Sequence, residues 1–242
     1  MFSRTTLRVL TLIAGLALAP PPGHAQTAED RTQDRVAFPA HKIIGNIPYV
    51  GTGTLNAYLV TTPEGHILIN TNFEETVPLL RQSIEQLGFR LSGKPHPIDR
   101  TLKDGEQVRL GGTTLTAHLT PGHTRGCTTW ETTVQEGGRS YNVVIACAGL
   151  QENARLVNNQ NYPEIADDFA RAIKKYRTMK PDVFLASHSW FFDLAGKHTR
   201  LATSATNPYI DPAGFRAWVD KVQKNYDTML AEQKRNPPVE LN

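Results

Sequence analysis

Thr113-Thr114-Leu115-Thr116-Ala117-His118-Leu119-Thr120-Pro121-Gly122-His123-Thr124-Arg125-Gly126-Cys127-Thr128-Thr129-Trp130 is the stretch on which the reading of the fold turns. Its first seven residues alternate, with Leu115, Ala117 and Leu119 on one side and Thr114, Thr116 and His118 on the other, as a half-buried strand does. Thr120-Pro121-Gly122 ends the strand in a turn and leaves His123 at its mouth. Thr128 to Val134 reads as a second strand, Gln135 to Ser140 as a turn, and Tyr141 to Ala146 as the return strand. A hairpin pivoting at Gly137-Gly138 pairs residues whose numbers total about 275. Cys127 and Cys147 then face each other near its open end, at a spacing a disulfide can close. The alternative is two buried free thiols. No CxxC or neighbouring Cys/His pair points these cysteines toward zinc.

Working outward, Lys42 to Val50, Thr54 to Thr62 and His66 to Thr71 read as strands, divided by Gly51-Thr52-Gly53 and Pro63-Glu64-Gly65. A helix is expected next, capped by Asn72, with Val77, Leu80, Ile84 and Leu87 at helical spacing and Gly88 as its stop. Arg90 to Arg100 reads as a short loop, and Val108 to Leu110 pairs with Thr113 to Leu119 across Gly111-Gly112. A second helix runs from about Pro163 to Met179, and Pro181 to Ala186 is a buried-type strand ending just before His188. The last helix starts with Asp211 as cap and Pro212 as first residue. Strand pairs interrupted by helices specify a layered α/β protein.

The chain of 242 residues opens with Arg4 and Arg8, an apolar run from Val9 to Ala19, then Pro20-Pro21-Pro22 and Gly23-His24-Ala25. That is the pattern of a secretory signal peptide over residues 1–25, with an apolar part too short to span a bilayer. Residues 26–242 remain as one domain. Export makes the disulfide permissible. The leader carries two of the 26 basic residues and none of the 23 acidic ones, so the mature balance is +1. A nucleic-acid partner and a polybasic membrane patch lose their basis. No later apolar run is long enough to cross a membrane, and a periplasmic or secreted monomer is expected.

Of eight histidines, His123 and His188 follow strands, where side chains of layered α/β proteins converge on a cleft. His66 at a hairpin turn and His198 after Gly196-Lys197 read as surface residues. His118 lies on the opposite strand face, and His96 is held between two prolines.

The Pro-Gly-His-Thr-x-Gly-Cys-Thr-x-Trp string resembles the class B metallo-β-lactamases of the third subclass. Asn70 to Pro78, Asn158 to Asp168 and Ala186 to Phe192 match the same family, and the resemblance extends from about His41 to the end. It implies an αββα sandwich and hydrolysis of a β-lactam by two zinc ions that bind a bridging hydroxide and polarise the carbonyl. His123 would match a ligand of the first zinc, His188 a ligand of the second, and Cys127–Cys147 a disulfide of some members.

The family's other ligands lie in a His-x-His-x-Asp-His motif after the first helix, and that motif is nowhere in the 242 residues. The chain passes from Leu87 through Ser92 to Pro97, so a strand, the ligand loop and at least one helix–strand unit of the amino-terminal half are read as missing between about 92 and 97. Asn70 stands where the family has an Asp that supports the ligand loop. Leu150, Gln151 and Glu152 stand where many members present hydroxyls, leaving Glu152 and Asn153 as candidates for substrate contact. A catalytic zinc needs about three protein ligands. One weakly bound zinc or none is therefore expected, shared by His123 and His188 with Glu152, Asp193 or His96 as possible helpers. The expectation is a family zinc hydrolase, with β-lactam as its small-molecule partner, impaired or inactive. The competing readings are a single-metal hydrolase of lactones or thioesters, a non-catalytic β-lactam binder, and a deletion remnant.

Overall fold

The computed structural model describes residues 32–90 and 100–238. The leader read at 1–25, His96 and the junction at 92–97 lie outside the described residues. Two sheets are present. The first has the order β1 (His41–Ile44), β2 (Ile47–Tyr49), β3 (Tyr58–Thr62), β4 (Gly65–Ile69), and all its described pairings are antiparallel. The second has the order β5 (Gln107–Leu110), β6 (Thr113–Leu119), β7 (Thr128–Glu136), β8 (Arg139–Ala146), β9 (Val183–Ala186), with β8 and β9 parallel.

The strand expected over Lys42 to Val50 is in fact a hairpin. Gly45-Asn46 is a two-residue turn of the kind that splits one β-branched run into two. Gly45 takes φ 52°, and a Cβ there would lie 2.7 Å from Val134 Cβ. Glycine thus serves both the turn and the close approach of the two sheets. The strand expected from Thr54 begins only at Tyr58, because Thr52 to Asn56 form a loop instead.

Helices cover both outer faces. Along β3, Tyr58 and Val60 join the core between the sheets, whereas Leu59 packs with Leu80 and Ile84 of α1 (Val77–Gln86). Asn72 does not cap this helix. It takes φ 57° and donates to the Leu55 carbonyl at 3.1 Å, while a 3-10 turn at Glu74–Thr76 leads into α1. In the second sheet Val134 meets Gly45, so its partner Tyr141, and Val143 and Ile145 on the same strand face, point toward the first sheet. Val144, Ala146 and Phe184 face outward onto α2 (Ile165–Thr178) and α4 (Pro212–Arg235), and Phe184 touches the rings of Phe215 and Trp218. Burial on both faces explains the unbroken apolar runs of β8 and β9.

A helix absent from the sequence reading, α3 (Leu194–Leu201), lies before α4. Its Lys197, with a side chain 3% exposed, pairs with Asp211 at 3.0 Å, and Asp211 also accepts from Gly214 N–H as the α4 cap. This ion pair links α3 to the start of α4, alongside Leu194 buried in the core.

The β7–β8 register runs from Glu136↔Arg139 to Trp130↔Ile145, and beyond it Cys127 and Cys147 form a disulfide with Cα atoms 5.6 Å apart. Their separation is 20 residues, a loop whose closure contributes about 3 kcal/mol. Cys127→Ala/Cys147→Ala should lower the unfolding free energy in urea by that order and raise the denaturant slope, because the freed unfolded chain exposes more surface.

Candidate functional site

The register of the second sheet brings four strand ends to one edge. Leu119 pairs with Thr128, Trp130 with Ile145, and Ala146 with Ala186. His123 leaves this edge from β6 and His188 from β9. Their ring centres lie 5.8 Å apart with planes at 68°. The structure therefore brings together the two histidines singled out by position.

Each is held by a different device. The His123 loop is closed at its base by the Thr120 N–H donating to the Cys127 carbonyl at 2.9 Å, and by the disulfide. Gly122 takes φ 138°, and a Cβ there would lie 2.7 Å from the Phe169 ring, so the loop lies directly on α2. The His188 strand end is held from the first sheet. Asn56 N–H donates to the Ser187 carbonyl at 2.9 Å, Ser189 N–H donates to the Thr54 carbonyl at 3.1 Å, and Leu55 bridges to His188. The Ser187 hydroxyl donates to the Cys147 carbonyl, which links the two supports.

Both imidazoles are kept neutral. Burial lowers the pKa of His123, and burial with the neighbouring His123 ring lowers that of His188 to about 4. The Nδ1 atoms of both are buried without a hydrogen-bond partner. A buried ring nitrogen left unpaired costs stability, and neutral imidazole is the form that binds metals. Such a pair is what a ligand site looks like from the protein side.

Trp190 completes the arrangement. Its indole stacks on His188 at 4.5 Å and 19°, and Phe191 meets the same imidazole edge-on at 5.5 Å. The signal in the sequence was the Trp190-Phe191-Phe192 run after His188, three aromatic residues where a polar loop is usual.

The other candidates are placed elsewhere. Among the described residues no third His, Cys, Asp or Glu joins the two histidines as a possible metal group. Asp193 is turned to Arg200 at 3.0 Å. Glu152 and Asn153 sit exposed in a turn. Asn70 takes φ 62° and donates to the Asn56 carbonyl at 3.1 Å, supporting the loop beside His188. His118 pairs with Glu131 at 2.8 Å. Two surface assignments are corrected. His66 packs against the Phe89 ring at 4.8 Å, and His198 lies 4.3 Å from His41, each half-buried because apolar rings cover it.

No family model matches the chain. Solved structures do. The native FEZ-1 metallo-β-lactamase from Legionella gormanii is 35% identical with a TM-score of 0.77, the match covering 83% of this chain and 98% of that one. BJP-1, a subclass B3 metallo-β-lactamase of Bradyrhizobium japonicum, is 27% identical with a TM-score of 0.78 and coverage of 85% and 98%. A Cronobacter sakazakii metallo-β-lactamase with a HARLDQ motif is 28% identical, with a TM-score of 0.76 and coverage of 84% and 98%. Two sheets between helices, with imidazoles meeting at the sheet edge, define the αββα class of the metallo-β-lactamase superfamily. Within it, the chain belongs to the subclass B3 metallo-β-lactamases.

The lowered pKa of His188 has a sign. The unfolded chain takes up a proton below about pH 6.5 and the folded one only near 4. Stability is thus flat above that upper value and falls as the pH drops through this window. His188→Phe, which keeps a ring and removes the orphaned nitrogen, should be neutral or stabilising at pH 7. It should also reduce the loss of Tm between pH 6.5 and 4, read by circular dichroism.

Proposed function

We propose that this chain is an exported B3-family protein that keeps the β-lactam-facing edge of the fold but hydrolyses β-lactams poorly or not at all. The observation that carries the reading is the donor set. The sequence has no His-x-His-x-Asp-His motif, and His123 and His188 stand without a third ligand among the described residues.

The residues do not fit the family's pair of zinc ions. A catalytic zinc takes about three protein ligands and keeps one position open, whereas two neutral imidazoles with their orphaned Nδ1 atoms supply one ligand per ion, or two to a single loosely held ion. Among the described residues no carboxylate or thiolate joins them to balance its charge. We therefore derive no hydrolytic step through zinc. What the chain's own residues supply is a shaped edge: the His123 loop on one side, His188 and its Trp190 stack on the other, and the Thr52–Asn56 loop behind them. Residues 1–25 would act as the export signal. The disulfide accords with an oxidising compartment, and among the described residues no helix is long and apolar enough to cross a membrane.

The test is elemental analysis together with turnover. Purified mature protein should hold less than one zinc per chain after gel filtration, and should open a chromogenic cephalosporin at least about a thousandfold more slowly than an intact B3 enzyme, the scale of losing a principal catalytic element. Two tightly held zinc ions with full turnover would overturn the reading. A melt shifted upward by an unhydrolysed β-lactam would support retained binding.

A further inference from the structure

A second histidine pair lies away from the sheet edge, where the amino-terminal strand meets α3. His41 Nδ1 lies 2.8 Å from the Pro39 carbonyl, and its Nε2 lies 2.7 Å from the Tyr209 hydroxyl. A carbonyl can only accept, so Nδ1 carries the proton, and Nε2 accepts from the Tyr209 O–H. Both ring nitrogens are therefore engaged, which removes this imidazole as a metal ligand, and in the neutral ring Nε2 is the acceptor. The ring lies 4.3 Å from that of His198, and it stacks on Tyr49 at 5.6 Å and on Tyr209 at 5.8 Å. Phe38 packs edge-on against His198 at 5.0 Å.

A second proton has one place to go, Nε2. It converts an acceptor into a donor that faces a hydroxyl already donating to it. The fully buried Tyr209 would have to turn its O–H elsewhere, and the new cation would press against His198. The groups facing His41 offer little relief. From α3 comes His198, while Asp193 and Arg200, which pair with each other at 3.0 Å, lie near Tyr209. From β2 comes Tyr49, and from the segment before α4 comes Tyr209. Burial correspondingly holds the His41 pKa at about 4.

The strand held by this contact is tied to the candidate site. Phe38 N–H donates to the Gly51 carbonyl at 3.3 Å, Ala37 bridges to Thr52, and Gly53 N–H donates to the Val36 carbonyl at 2.9 Å. The Thr52–Asn56 loop in turn contacts His188 through Leu55 and Ser189 through Thr54.

We propose that His41, His198 and Tyr209 form an acid-released clasp that fixes the amino-terminal segment on α3 and, through it, the loop beside His188. The clasp is independent of whether the site holds metal or turns over substrate. Neutral His41 locks the segment, and protonation of His41 frees residues 34–56 while β7 and β8 stay paired.

Amide hydrogen exchange of the full mature chain, corrected for intrinsic rates, tests this. In the wild type, protection of residues 34–56 should fall roughly tenfold to a hundredfold between pH 7 and pH 4.5, relative to β7 and β8. In a His188→Phe background, which removes the other titrating imidazole in contact with this segment, His41→Gln should abolish the pH dependence. Tyr209→Phe keeps the stacked ring but removes the hydrogen bond specific to neutral His41, and should raise the midpoint of release by about one pH unit. If His41→Gln does not fold, the Tyr209→Phe shift alone decides. A wild-type segment whose protection does not change with pH, or a midpoint unmoved in Tyr209→Phe, would overturn the proposal.

Discussion

The carbonyl of Ala186, at the buried end of β9, accepts hydrogen bonds from the Asn56 amide at 2.7 Å and the Tyr58 hydroxyl at 2.6 Å. The Tyr58 donor belongs to the first sheet, Asn56 to the loop that leads into it, and the acceptor to the second sheet. Each bond contributes only about 1 kcal/mol net, but a donor left unpaired in this interior costs about 1–3 kcal/mol. The two sheets are thus held at one relative setting and not merely pressed together. Tyr49 extends the constraint by donating its hydroxyl within the same group to Asn56 Oδ1 at 2.8 Å. His188 lies two residues beyond Ala186, so the position of the candidate site against the Thr52–Asn56 loop follows from this junction.

Much of the second sheet was legible because its signals are local. The Gly111-Gly112 and Gly137-Gly138 turns, the alternation of Thr113 to Leu119 and the Asp211-Pro212 helix start each involve residues within a few positions of one another. Thr54 to Asn56 read as the start of a strand because the partners of Asn56, Ser187 and Ala186, lie about 130 residues away. Asn72 was read as a cap because capping is what Asn does before a helix, yet its amide is used by Leu55. Helix α3 is not legible in the sequence because its apolar stripe is thin and Gly196 interrupts it, while Lys197 pairs with the distant Asp211. At the site, the positions of His123 and His188 could be read from strand ends. The Trp190 stack and the orphaned nitrogens could not, since both depend on how two distant segments meet.

The first sheet ends, among the described residues, at β4, whose alternating Ile67 and Leu68 are half-buried and pack toward opposite cores. That pattern belongs to a strand made to have neighbours on both faces. The second sheet carries the disulfide and the parallel β8–β9 pair. It brings one histidine from each of two strand ends to a common edge.

Of the three tryptophans, Trp218 packs against Tyr176 and Phe184, and Trp130 pairs across β6 and β8. Trp190 alone lies flat on an imidazole, 4.5 Å from His188. Any charge gained by that ring, from a proton or a bound cation, is placed directly on the indole face, where the ring quadrupole responds to it. Of the three indoles, Trp190 is the one whose electronic surroundings would change with the charge on His188.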